Sequence, residues 1–243
     1  MEKENSGFGP VGLRVAIAVA GLLGAQAAFA QFVSVGGTIR LDNGPGAGPG
    51  GEFIVTVLSG GSGLSPSFNT FCVERNEFFS YGQTLRVDGI SNGAISGGAG
   101  GPNPDPISNQ TAWLYAQFRS GSLGGYDYNV PSLRTHDADA LQNTIWYLEN
   151  EISSIGSGLS SSEAIQANSW LAAANSAVDA GWTNTNVAVL NLWRQDSQGN
   201  FTIQAQDQLY ITPIPEPETY MMLLAGLGLM GFVARRRQRG LAA

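Results

Sequence analysis

The chain has 243 residues, a formal net charge of −7 and a hydrophobic fraction of 43%. Residues 31–215 alone carry six arginines against fifteen Asp and Glu. That balance argues against nucleic acid or anionic lipid as a partner, since both require a cationic face. A single cysteine, Cys72, excludes an intrachain disulfide. With one histidine and one cysteine the usual zinc sites cannot be built, and no EF-hand or other cofactor motif is present, so no cofactor is expected.

In chain order, Val15–Leu23 is a short apolar run preceded by Arg14, and Ala28-Phe29-Ala30 has the small-x-small form of a signal-peptidase site. Residues 1–30 are therefore expected to be a secretory signal, with Gln31 as the first residue of the exported domain. The next sixty residues contain β-rich runs at Phe32–Leu41, Glu52–Ser59, Phe68–Glu74 and Gln83–Ile90, separated by Gly, Pro, Ser and Asn. Gly46, Gly48 and Gly51 match GxGxxG, but a dinucleotide site needs a helix next, and Glu52 onward reads as a strand.

The middle of the chain reads as helical. Gln110–Ser120 stops at Gly121, a candidate C′ glycine. Over Ala138–Ile152, Leu141, Ile145, Leu148 and Ile152 form one apolar stripe. Ser160 with Glu163 has the capping-box spacing for a helix that ends at Gly181. Val187–Trp193 and Phe201–Ile211 then make a β-hairpin around Gln195–Gly199. Strands, helices and strands in that order give an α+β domain over 31–213, most simply a β-sandwich or barrel with a helical insertion.

The last segment, 214–239, has three parts. Pro215-Glu216-Pro217 follows Pro213 and forbids regular structure. An apolar helix is expected over 220–234, shorter than the roughly twenty residues of a comfortable bilayer span. Arg235, Arg236, Arg237 and Arg239 form a basic stop that holds the C-terminus on the cytoplasmic side. This order closely resembles the PEP-CTERM sorting signal of Gram-negative bacteria. The resemblance implies recognition by an exosortase, transient residence in the inner membrane, and release to the cell surface or exopolysaccharide matrix.

Two internal segments carry possible chemistry. Phe71-Cys72-Val73-Glu74 and Leu141-Gln142-Asn143-Thr144-Ile145-Trp146-Tyr147 together resemble the two halves of bacterial thioester domains. In that family a Cys after an aromatic or aliphatic residue bonds to a Gln that precedes an Ile-Trp-like pair. The family often has Thr before the Gln and an aromatic after the Cys, where this chain has Leu141 and Val73. The resemblance assigns the sulfur to Cys72 and the acyl carbon to Gln142, with amine- or hydroxyl-bearing surfaces, polysaccharide included, as targets. Phe71, Trp113, Tyr115, Trp146 and Tyr147 are candidates for shielding such a bond from water. Lys3 is the only lysine, so the exported chain would have no lysine amine to attack its own thioester.

Two alternatives stand beside this one. The domain can be a non-covalent structural or carbohydrate-binding matrix component with Cys72 a buried hydrophobe. Alternation along 68–75 places Phe71 and Val73 on one face and Cys72 and Glu74 on the other, less apolar one. A hydrolase built on Cys72 and His136 is the weakest option, because neither segment has a protease context.

Overall fold

The computed structural model describes residues 32–47, 51–62, 67–96, 102–212, 225–227 and 230. The expected signal peptide and the sorting residues Pro215, Glu216, Pro217, Arg235, Arg236 and Arg237 lie outside these. Only fragments of the expected helix over 220–234 are described, at 225–227 and 230, and they are helical. Among the described residues no helix is long and apolar enough to cross a membrane.

Among the described residues the domain runs in order: β1 (Phe32–Asn43), β2 (Phe53–Ser62), β3 (Ser67–Thr70), β4 (Thr84–Ser91), β5 (Gly93–Ala94), β6 (Asp105–Pro106), α1 (Asn109–Arg119), α2 (Pro131–Leu148), α3 (Ser161–Asp179), β7 (Val187–Gln195) and β8 (Phe201–Ile211). Six strands form one antiparallel sheet in the order β3-β2-β1-β4-β7-β8, and β5 pairs with β6. The fold is α+β, and the helices are an insertion between β6 and β7.

A sandwich of two packed sheets is not what forms. The single large sheet curls into a half-barrel, and its two ends meet at one place. Directly after β3 the chain leaves β2 and pairs with β8 instead: Leu209 N–H donates to Phe71 O (3.0 Å) and Val73 N–H to Asp207 O (3.1 Å). Cys72 faces Gln208 across this seam. The expected strand Phe68–Glu74 therefore divides at Thr70, because its second half changes partner.

The seam sorts side chains by parity, as pleating requires. Phe71 and Val73 join the core between sheet and helices, with Leu114, Tyr115, Leu141, Ile145 and Trp170. Cys72 points into the curl of the sheet, with Ile39, Leu41, Val55, Leu85, Val87 and Leu192. The alternation is as the sequence indicates, but the Cys72 face is deeply apolar rather than the less apolar one.

The helix ends follow capping chemistry. Ser108 Oγ accepts from Thr111 N to open α1, and Gly121 at φ 72° lets its N–H return to Phe118 O. Ser160 and Glu163 make both bonds of the capping box at α3. The second helix starts seven residues before the expected Ala138, with Pro131 at its first position. It stops at Leu148, because Asn150 adopts φ 61°, so Ile152 does not extend the stripe.

Candidate functional site at the seam

Cys72 is 1% exposed and Gln142 is fully buried. Cys72 comes from the strand crossover and Gln142 from the middle of α2. The Gln142 carboxamide docks against the Cys72 backbone as another strand would. Gln142 Oε1 accepts from Cys72 N–H at 3.1 Å, and Gln142 Nε2 donates to Cys72 O at 2.8 Å. The Cys72 thiol lies 3.1 Å from the same Oε1. The pairing holds the carboxamide beside the sulfur in a dry environment, with a backbone N–H on its oxygen.

Desolvation drives the thiol pKa far above its ordinary range, and the charges of Glu74 and Glu151 push the same way. The backbone N–H of Cys72 and the Trp146 side chain oppose that shift. Close by, Glu74 and Asp207 form a buried carboxyl pair. Glu74 Oε2 accepts from Asp207 N–H (3.0 Å), while the Asp207 carboxylate accepts from Ile95 N, Leu192 N and Asn191 Nδ2. Both pKa values are raised, chiefly by burial. The three donors on Asp207 favour its ionised form, so Glu74 is the partner that keeps the proton.

A cavity of about 200 Å³ opens onto Cys72, lined by Phe53, Arg75, Phe78, Phe79, Tyr81, Trp146 and Gln206. Phe53, Phe79 and Tyr81 pack edge to face or tilted, with centroids 5.2–6.3 Å apart. The Arg75 guanidinium sits over the Trp146 ring at 6.0 Å.

Of the aromatic residues singled out from sequence, Trp146 lies beside Cys72. Phe71 is its chain neighbour, but its ring turns to the helices and meets Phe118 at 4.9 Å. Trp113 and Tyr115 belong to the helix-side core, and Tyr147 borders a separate depression with Leu148, Asn150 and Leu171. The enclosing rings Phe53, Phe79 and Tyr81 were not foreseen. The aromatic run 78–81, starting six residues after Cys72, was the available signal.

His136 is exposed and pairs with Glu163 of the α3 capping box, while the Cys72 side chain meets Gln142. No Cys–His pair forms. Gly51 leads into β2, a strand rather than a helix. Among the described residues no group of three or more His, Cys, Asp or Glu is arranged to hold a metal ion.

A second buried polar centre ties the helices to the sheet. Arg134 Nε and Nη2 donate to the two oxygens of Glu52 at 2.8 and 2.6 Å. Tyr126 OH, Gly46 N–H and the Asn69 carboxamide also donate to that carboxylate.

None of the curated proteins and none of the solved structures matches this chain. Residues 213–237 match the PEP-CTERM protein-sorting motif, so the chain carries the C-terminal signal of an exported exosortase substrate.

Proposed function

We propose that the exported domain stores an electrophile, an internal thioester between Cys72 and Gln142, and uses it to attach covalently to an amine- or hydroxyl-bearing target at the cell surface or in its polysaccharide matrix. The observation that carries this reading is the thiol 3.1 Å from the Gln142 carboxamide oxygen, with both groups buried. The sulfur attacks the carboxamide carbon, the C–N bond breaks, and nitrogen leaves as ammonia with the thiol proton. Cys72 N–H is in place to bind the oxygen as it gains charge, and Cys72 O holds the departing nitrogen. A nucleophile that enters through the cavity then takes the acyl group and returns the thiol. The described residues contain no lysine, so no ammonium side chain there competes.

The intact mass of the exported protein tests this. The thioester form is lighter by one ammonia, and methylamine converts it to an adduct on Gln142. A full-mass protein whose Cys72 alkylates on unfolding and takes up no methylamine would sink the reading.

The competing reading is a non-covalent surface or matrix protein. One observation favours it: the two hydrogen bonds between Gln142 and the Cys72 backbone already suffice as a structural staple of α2 to the seam strand.

A further inference from the structure

The indole Nε1–H of Trp146 is out of contact with solvent and, among the described residues, finds no acceptor at full hydrogen-bond geometry. An orphaned buried donor costs about 1–3 kcal/mol, so its position calls for a reason. Trp146 stands four residues after Gln142 on α2, hence on the same face and one turn along. It lines the cavity over Cys72, and the group it acts on is the Cys72 sulfur, whose anionic form it favours. Two nearby acidic groups, Glu74 and Glu151, disfavour a thiolate there, and Tyr81 across the cavity has its own ionisation suppressed by burial and by Cys72. Arg75, stacked on the indole, draws π density from the ring and makes its N–H a better donor.

We infer that Trp146 Nε1–H is the hydrogen-bond donor reserved for the Cys72 sulfur when it carries negative charge, as nucleophile when the thioester forms and as leaving group when a target opens it. This rests on the thioester reading. In the resting thiol the donor is poorly used. As the acyl–sulfur bond breaks, the electron pair passes to sulfur and the indole proton bonds to it. The nucleophile's proton then reaches the thiolate, so thioester plus amine gives amide plus thiol without any further reagent.

Trp146→Phe removes the N–H and keeps an aromatic wall. In the full exported protein, methylamine should open the thioester of this variant about tenfold more slowly or worse, because a hydrogen bond to a charged group is lost. A second measurement needs no substitution. A thioester sulfur is a weaker acceptor than a thiol, so the Trp146 indole N–H resonance of the wild-type protein should move downfield on methylamine opening. Opening at the wild-type rate in the variant, or an indole resonance that stays put, overturns the assignment. If wild type is itself full-mass, the thioester reading falls and takes this role with it. A light wild type with an unaltered variant rate removes the Trp146 role alone.

Discussion

The domain contains two buried polar centres of different kinds. At Glu52 and Arg134 every charge is answered: a bidentate guanidinium, a phenol, a backbone N–H and a carboxamide converge on one carboxylate. Cys72 and Gln142 are themselves uncharged, and two polar atoms nearby, Trp146 Nε1 and Gln208 Oε1, are buried without a partner of hydrogen-bond geometry among the described residues. The first arrangement leaves nothing for a ligand to satisfy, and it pins β2 to α2. The second leaves unmet hydrogen-bonding capacity beside a sulfur and a cavity. Saturation reads as architecture, and incomplete satisfaction at a buried nucleophile reads as chemistry.

The most forceful way to break that contrast is to unbalance the saturated centre. Arg134→Ala leaves Glu52 buried and uncompensated, and should cost about 3–5 kcal/mol in denaturant unfolding. Arg134→Ala combined with Glu52→Gln should recover most of that loss. Mass and methylamine reactivity of whatever remains folded should match wild type, since the cysteine centre shares no residue with this one.

Next in size is the pH response of the carboxyl pair behind the seam. The Glu74 pKa is raised from 4.5 to about 9 by burial and by Asp207. A carboxyl protonated only in the folded state stabilises fully below its unfolded pKa and stops doing so as pH rises through the folded one. Stability should therefore fall between about pH 5 and pH 9, by up to about 1.4 kcal/mol per unit. Glu74→Gln should flatten this slope in thermal unfolding, and an unchanged slope would place the buried proton elsewhere.

Unequal effects are also expected within the cysteine centre. Cys72→Ala keeps both backbone bonds to Gln142 and should cost little beyond one buried sulfur. Gln142→Ala orphans the Cys72 N–H and C=O and should cost about 1–3 kcal/mol more. Equal losses in urea would mean that the carboxamide is not stapling α2 to the Cys72 strand.

Much of this was legible in the sequence because it is local. The capping box at Ser160, the stop at Gly121, the hairpin of β7 and β8, and the inserted helices all follow from spacing within a few residues. The Cys72–Gln142 pair was legible only through family resemblance, since its two members lie 70 positions apart. The seam was hidden: nothing near Thr70 announces that the chain will abandon β2 for β8, since that choice depends on Leu209, 139 positions later. For the same reason Phe53, on β2, could not be assigned to the Cys72 enclosure. The early start of α2 was missed for a different cause: Pro131 reads equally as a turn or as a first helical residue.

The smallest effect concerns neither buried centre and calibrates both. Ser160 Oγ accepts from Glu163 N–H, Glu163 Oε2 accepts from Ser160 N–H at 2.6 Å, and the other Glu163 oxygen meets His136 Nδ1. Ser160→Ala should cost about 1 kcal/mol, the usual value of such a cap. The exposed His136 pair should add little, and less still in high salt. Glu163 joins the N-terminus of α3 to His136 of α2, which precedes Leu141 and Gln142 on that helix. If Ser160→Ala slowed methylamine opening as well as lowering the unfolding midpoint, α2 would have to transmit the disturbance to Gln142, and the cysteine centre would not be the self-contained unit its geometry implies. An unfolding shift with an unchanged opening rate is the outcome expected.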